Sequence, residues 1–469
     1  MEDDNNFLNF GEEPAEYIRK FEEMLDKNES YYFDAIEFED IVLYYEGFHN
    51  TDKAILCINI AVEQHPKNVE LLLKKSELEL ELGFLNDSLS TVNKALTLAP
   101  FNEDIYITKS AIYSQLQNPK GSIKNLKKAI QLASERKDEL YIELAFEYQN
   151  IEDFESTIKC LHAALNINPK NESGLYELAF CYDILNQFDE SIKFYTRFLD
   201  EEPYSHVAWY NLGNTFCKIG DFNQAISAFD FALVIKDDLS SASFNKANAL
   251  MNLGRYREAI SSFKHAMENE GPKALTYNYI AECYEKLEKF NKAEALYSKS
   301  IEIDEKLSEP WLGLGIIKDI KGESKEALNY IKKAIELNPG SSSNWHVYAH
   351  ALEKVEEIEE AKIAYQKVLE INPDITEAWL DYSALLSEEG LNELAIETIQ
   401  QAMDLADNPE KIIYRFIAYL LANGNKKEAL SQLENALQLN YNEHKSLLEY
   451  FPEALNNTEI VNLIDMYKK

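Results

Sequence analysis

Apolar residues recur three and four positions apart through most of the chain, and this spacing marks one face of an α-helix. The pattern also repeats with a period of 34 residues. It is clearest in the four segments that begin at the tryptophans, and all four tryptophans of the protein fall at the same phase of this period: Trp209, Trp311, Trp345 and Trp379. Self-similarity of this length predicts an array of short helical units.

The repeat divides the middle of the chain into twelve units. With tryptophan at position 4, the units begin at residues 35, 69, 103, 138, 172, 206, 240, 274, 308, 342, 376 and 410. The period lengthens to 35 once, in the polar stretch at residues 134–139. Each unit is therefore predicted to contain two helices joined by a short turn.

Particular positions of the unit have physical roles. Positions 4, 7, 8 and 11 lie on one stripe of the first helix, and positions 20, 24 and 27 lie on one stripe of the second. Small residues at positions 8 and 20 let the two helices approach closely. Glycine recurs at position 15, where a left-handed residue ends the first helix, and proline recurs at position 32, where it ends the second. One hairpin cannot bury its apolar face alone, so the units are expected to stack.

This pattern resembles the tetratricopeptide repeat family over residues 35–443. The resemblance implies an all-α fold, a right-handed α-α superhelical solenoid, and a role in protein interaction. Phe198 and Val368 depart from the pattern, because they stand at position 27 where the other repeats carry Ala or Ser. We expect looser or re-angled helix packing there.

The two ends lie outside the repeats. Residues 1–34 form an acidic segment, with a disordered start and a predicted helix after Pro14. Residues 444–469 are predicted to form a short helix, a break near Pro452 and Asn456, and an amphipathic helix from about Thr458. Because a solenoid exposes an apolar face at each end, we expect both segments to act as caps.

The formal net charge of −36 limits the choice of partner. Binding to a phosphate backbone needs clusters of Lys and Arg, so a nucleic acid is not expected. The negative charge is compatible with a basic peptide or protein, and it also keeps a long solenoid soluble.

Neither membrane insertion nor a disulfide framework is predicted. The N-terminus has no basic and apolar signal segment, and no apolar run is long enough to span a bilayer. A cytoplasmic location follows. The five cysteines form no CxxC pair and are interpreted as small buried residues.

The candidate binding residues lie at positions 5, 6 and 9 of the first helices. In the family that the chain resembles, this face lines a concave groove. Repeats 5 to 8 place aromatic and amide side chains there. An amide offers both a donor and an acceptor, so it can hydrogen-bond a peptide backbone while it carries no charge. The candidate residues are Tyr176, Phe180, Tyr210, Asn211, Asn214, Phe244, Asn245, Asn248, Asn278 and Glu282.

Two further interpretations concern the asparagines. They could instead bond the neighbouring first helix and set the pitch of the solenoid, and Asn211 and Asn245 at position 6 suit that role. Some family members clamp the C-terminal carboxylate of a chaperone with two asparagines and several cations. Asn214 and Asn245 match those amides, but Tyr210, Leu275 and Tyr279 replace the cations, so this ligand is not expected.

No enzyme, cofactor or metal site is predicted. The chain contains no GxxxxGK[ST], GxGxxG, GxSxG or HExxH motif. His346 and His350 lie one helical turn apart with Glu353 beyond them, but no third metal ligand is assured, so they are interpreted as polar lining of the groove.

These observations predict a non-enzymatic scaffold or adaptor that binds a protein partner in the groove of repeats 5 to 8. Two alternatives stay open. One is a chaperone-like or regulatory protein that shields a client, and the other is a structural solenoid that associates with itself. The sequence leaves the oligomeric state undetermined, with a monomer as the simplest expectation.

Overall fold

The computed structural model of the protein describes residues 12–405 and 410–468. The chain divides into two compact units, unit 1 at Met1–Asp237 and unit 2 at Asp238–Lys469. In the described residues every regular element is helical. Each unit contains six consecutive helical hairpins, so the predicted fold class, an all-α solenoid of stacked hairpins, is confirmed.

Unit 1 begins with a single helix, and the six hairpins follow it. Its helices are α1 (Glu12–Lys27), α2 (Ala35–Gly47), α3 (Thr51–Gln64), α4 (Val69–Glu81), α5 (Leu85–Leu98), α6 (Glu103–Gln115), α7 (Pro119–Leu132), α8 (Lys137–Gln149), α9 (Phe154–Ile167), α10 (Glu172–Ile184), α11 (Phe188–Glu201), α12 (His206–Lys218) and α13 (Phe222–Ile235).

Unit 2 ends with two additional short helices. Its helices are α14 (Ser240–Asn252), α15 (Tyr256–Glu270), α16 (Ala274–Lys286), α17 (Phe290–Ile303), α18 (Ser308–Ile320), α19 (Ser324–Leu337), α20 (Ser342–Lys354), α21 (Ile358–Ile371), α22 (Thr376–Glu388), α23 (Asn392–Leu405), α24 (Glu410–Ala422), α25 (Lys426–Leu439), α26 (His444–Tyr450) and α27 (Thr458–Met466). Two 3₁₀ turns, Tyr441–Glu443 and Pro452–Asn456, flank α26.

The turn inside each hairpin has one conformation throughout. In the described part of the chain, each of the twelve residues at position 15 has a positive φ. Six are glycine, as the sequence pattern predicted, and the others are His49, Gln117, Glu152, Asn186, Glu288 and Glu356. The extra residue of the third repeat falls in the turn before α8, where Arg136 has φ 57°. The left-handed turn is therefore a property of the hairpin and not only of its glycines.

Close contact between the two helices of a hairpin depends on the small residues. A Cβ atom added to Gly213 at position 8 would lie 2.6 Å from the ring of Phe229 at position 24. In the second repeat, Ser76 and Ser88 occupy positions 8 and 20, and their hydroxyl oxygens lie 2.9 Å apart in the buried interface. A larger residue at either place would push the two helices apart.

The tryptophans join successive repeats. The indole Nε1–H of Trp209 donates to the carbonyl oxygen of Pro203, the position-32 proline of the preceding repeat, at 2.9 Å. Trp345 and Trp379 bond the carbonyl oxygens of Pro339 and Pro373 in the same way. Position 4 thus fills a packing site and also satisfies a backbone carbonyl group in the turn that follows the preceding helix.

The hairpin with Phe198 is packed differently from the others. Within this repeat, α10 and α11 contact each other less closely than the two helices of the other hairpins, and α11 packs mainly on α12. This agrees with the re-angled packing expected at Phe198. Val368, the other departure, is buried in an ordinary hairpin.

The two ends cover the outer hairpins of their units. Phe21 and Met24 of α1 are buried in one cluster with Phe38 and Tyr45 of α2. At the other end, Leu447 and Ile460 belong to the cluster formed by α24 and α25. The start for which disorder was expected lies outside the described residues, and the domain boundaries at 34/35 and 443/444 stay a prediction.

Candidate functional site

The first helices of neighbouring repeats contact one another within each unit, for example α10 with α12 and α18 with α20. We call the face that carries positions 2, 5, 9 and 12 of these helices the first-helix surface. Most side chains at these positions point away from the hairpin interior, because the packing stripe occupies the opposite side of the helix. Some of them are nevertheless buried, such as Asn278 and Tyr414 at position 5. This surface contains most of the predicted binding residues.

In unit 1 the first-helix surface carries an aromatic group. Tyr176 and Phe180 of α10 are 40% and 45% exposed. The rings of Tyr176 and Tyr210, at position 5 of successive repeats, meet edge to face with centroids 6.2 Å apart. Phe180 contacts Phe154 with centroids 6.4 Å apart. The rings are held in place by these contacts and still present area to solvent.

Asn211 does not belong to this surface. It is 2% exposed, and its Nδ2 donates to the carbonyl oxygen of Leu175 in α10 at 3.1 Å. The Tyr195 hydroxyl donates to the same carbonyl at 2.6 Å. Asn211 therefore ties one first helix to the preceding one, which is the structural alternative that the sequence left open. Asn214, one turn further along α12, is half-buried on the first-helix surface.

In unit 2 Phe244 lies within a group of three rings. It meets Phe263 and Tyr279 edge to face, with centroids 5.3 and 5.6 Å away. Phe244 and Asn245 line a cavity of about 310 Å³ between α14, α15 and the start of α16. Asn248 is half-buried one turn further along α14. These three predicted residues are brought together on one helix.

Asn278 and Glu282 of α16 differ in accessibility. Asn278 is 5% exposed, and its Oδ1 has no hydrogen-bond partner in the structure. It is a packing residue rather than a surface contact. Glu282 is half-buried and reaches the first-helix surface at position 9.

Three carboxylates on the first-helix surface have raised pKa values, although Lys74 lies 3.8 Å from Glu77 and compensates part of its charge. Burial raises the pKa of Glu39 and Glu77 in unit 1 and of Glu282 in unit 2. A neighbouring carboxylate raises it further in each case, for example Glu285 beside Glu282. Both effects disfavour the charged form, so a cation placed next to these groups would be stabilised.

Ion pairs between first helices are a feature that sequence reasoning missed. Lys218 Nζ lies 3.1 Å from Asp183 Oδ2 of the preceding repeat, and Lys354 pairs with Asp319 at the equivalent place in unit 2. The common separation of 35 residues was available as a signal, since it brings position 12 of one repeat to position 13 of the next.

Comparison with family models identifies the repeats. Models described as tetratricopeptide repeat match residues 103–136, 208–243, 237–306, 308–341 and 342–375. Three of these matches begin at residues 103, 308 and 342, where the 34-residue pattern begins a unit. These matches identify the hairpins of the chain as tetratricopeptide repeats, a fold that serves as a scaffold for protein interaction.

Several solved structures are similar in fold. One chain in the crystal structure of the APC/C hetero-tetramer Cut9–Hcn1 is 13% identical over 84% of this chain and 91% of its own length, with a TM-score of 0.42. YrrB, a tetratricopeptide protein described as having an unusual peptide-binding site, is 21% identical over 39% of this chain and 95% of its own, with a TM-score of 0.32. A tetratricopeptide protein from Parabacteroides merdae is 20% identical over 53% and 98%, with a TM-score of 0.38. No curated protein matches the chain.

No helix in the described ranges is both long and apolar enough to cross a membrane.

Proposed function

We propose that the chain is a non-enzymatic, cytoplasmic scaffold that binds an extended, basic segment of a protein partner on its first-helix surface. In unit 1 the contacts come from Tyr176, Phe180, Tyr210 and Asn214. In unit 2 they come from Phe244, Asn248 and Glu282 on this surface and from Asn245, which lines the adjacent cavity. Asn211 and Asn278 are left out of the contact set, because both are buried.

The exposure of Tyr176 and Phe180 carries this proposal. Two large rings on one face of α10 leave 40% and 45% of their area in water, although burial of such rings is worth about 1.5–3 kcal/mol each. The contact between Tyr176 and Tyr210 extends the aromatic area on to α12. A partner that covered these rings would recover this free energy.

A basic partner is supported by the charge of the surface. Lys and Arg side chains lay their aliphatic stems on aromatic rings and favour the ring faces through cation–π attraction. The half-buried carboxylates Glu39, Glu77 and Glu282 would be stabilised by such cations. The net charge of −36 would also speed the encounter and make it sensitive to salt.

A peptide array tests this function with the full-length chain. The array displays extended peptides that vary independently in basic and aromatic content, and the bound fraction is measured at low and high salt. We expect selection of sequences in which Lys or Arg alternates with apolar residues, and weaker binding at high salt. Equal binding of acidic and basic peptides would contradict the proposed partner.

Variants then locate the site. Tyr176→Ser combined with Phe180→Ser should lower the affinity for the selected peptide by about tenfold or more, as expected for loss of aromatic anchors. Phe101→Ser is the matched control, since Phe101 is a 79% exposed aromatic residue of unit 1 that lies between repeats. Asn214→Ala and Asn248→Ala test the amides. Unchanged affinity in all the first-helix variants, with the fold intact, would remove this surface as the binding site.

A further inference from the structure

Two histidines and one aspartate converge on the first-helix surface of unit 2. His346 and His350 lie one turn apart on α20, with ring centroids 4.8 Å apart. Asp381 lies on α22, the next first helix. His346 Nε2 is 2.9 Å and His350 Nε2 is 3.2 Å from the same atom, Asp381 Oδ2. Asp381 supplies the third group that the sequence alone did not assign to the histidine pair.

From this convergence we propose that His346, His350 and Asp381 bind a divalent transition-metal ion. Their ligand atoms all lie within 4.8 Å of one another. Around a tetrahedral Zn²⁺ with bonds of about 2.0–2.2 Å, neighbouring ligand atoms are about 3.3 Å apart. The two distances to Asp381 lie within a few tenths of an ångström of that value. The ligand nitrogens of the two histidines lie within 4.8 Å of each other, so the imidazole rings must turn towards each other to close the site on an ion.

The residue types define the class of metal. Two imidazoles and one carboxylate suit Zn²⁺ and its first-row neighbours, whereas Mg²⁺ and Ca²⁺ prefer sites made of oxygen ligands. Three protein ligands leave the remaining coordination position to water. The side chain of His350 is 46% exposed and that of Asp381 is 36% exposed, so an ion can enter from solvent.

The surroundings orient His350. Its Nδ1 lies 3.2 Å from the hydroxyl oxygen of Tyr365, a side chain that is fully buried and therefore fixed. Glu353 Oε2 lies 3.7 Å from the same nitrogen. A partner on one ring nitrogen directs the other towards the ion, as in many histidine metal sites.

Zinc titration of the full-length, tag-free protein tests the site after metals are removed with a chelator. We expect about one tight Zn²⁺ per chain. His350→Gln and Asp381→Asn should each weaken zinc binding by at least about 10- to 100-fold, because loss of an outer-sphere partner already has an effect of this size. His206→Gln is the matched control, because His206 Nε2 lies 3.8 Å from Glu172 Oε1 on adjacent first helices without a second histidine. It should leave the affinity unchanged.

A second measurement uses the unmodified chain, so it does not depend on how a variant folds. Histidine residues are acylated with and without Zn²⁺, and the modified peptides are quantified by mass spectrometry. Zn²⁺ should slow the modification of His346 and His350 several-fold, and the rate at the exposed His49 should not change. The proposal is overturned if Zn²⁺ protects all histidines equally, or if its affinity for His350→Gln and Asp381→Asn is the same as for the natural chain. Either result would mean diffuse binding to the acidic surface.

Discussion

At the scale of single residues, two asparagines about one turn apart on α12 have different roles. Asn211 and Asn214 are three positions apart, so their side chains point about 60° apart around the helix. That rotation takes Asn211 into the contact with α10 and leaves Asn214 on the first-helix surface. The side chain is an amide in both cases, so the residue type does not distinguish a structural hydrogen bond from a candidate contact with a partner. Only the packing around each residue does.

Asn211→Ala should lower the free energy of unfolding by about 1–3 kcal/mol, because the Tyr195 hydroxyl and the Leu175 carbonyl lose a buried partner. Urea denaturation followed by circular dichroism measures this loss. Asn223→Ala, on an exposed site of α13, is the control and should change stability by less than about 0.5 kcal/mol. Equal effects of the two substitutions would mean that the Asn211 bonds contribute nothing.

The metal candidate gives a second example at this scale. His346 and His350 are visible in the sequence, since four residues form one helical turn. Asp381 lies 31 residues after His350, and its approach depends on the angle between α20 and α22. No local pattern encodes that angle, so the distances from Asp381 to the two histidines had to come from the structure.

At the scale of the helical hairpin, the sequence is sufficient to predict most of the structure. The helix starts follow from caps, breakers and periodic apolar residues, all of which act within a few positions. For instance, α8 is the first helix of the fourth repeat, and it begins at Lys137, one residue before the predicted start of that repeat at residue 138. The close contact of Gly213 with Phe229 follows in the same way from small and large residues at fixed positions.

The left-handed turns at Glu288 and Glu356 offer a test of the hairpin rule. A left-handed conformation costs a residue other than glycine about 1–2 kcal/mol, and the greater freedom of glycine in the unfolded chain offsets about 0.5–1 kcal/mol of this. Glu288→Gly, where φ is 57°, should therefore stabilise the protein by up to about 1 kcal/mol. Thermal or urea unfolding measures the change.

Two substitutions control for glycine itself. Ala295→Gly, at an exposed position in the middle of α17, should destabilise the protein by about 0.5–1 kcal/mol. Gly322→Ala, where φ is 80°, should also destabilise it. Loss of stability in Glu288→Gly similar to that in Ala295→Gly would show that the turn conformation is not a strain on the chain.

At the scale of the whole molecule, the net charge of −36 produces repulsion among exposed side chains along the entire chain. The division into two compact units at residues 237 and 238 has no counterpart in the repeat pattern, which runs through that point without a change of period. Long arrays gain stability from each repeat and from each contact between neighbouring repeats, so the hairpins of each unit are stabilised by the contacts within that unit.

Acidification towards pH 5 should first stabilise this protein. Glu39, Glu77 and Glu282 have folded-state pKa values above the ordinary 4.5. The folded chain therefore holds their protons more tightly than the unfolded chain. The stability that this provides is fully present below pH 4.5 and is lost as pH rises through the raised values. Below pH 4.5 the opposite effect takes over, because Glu22, Glu294 and Glu323 have lowered pKa values and must give up their ion pairs with lysine.

Thermal unfolding between pH 7 and pH 4 measures this balance, and salt separates its two causes. Added salt screens the general repulsion among exposed charges, but it leaves the burial of the three carboxylates unchanged. The rise in midpoint on acidification should therefore persist at high salt in the natural chain. It should be smaller in the variant with Glu39→Gln, Glu77→Gln and Glu282→Gln, and unaffected by Glu302→Gln on the exposed side of α17. A rise that salt abolishes completely would assign the effect to net charge alone and would remove the argument that the first-helix surface holds carboxylates in need of a cationic partner.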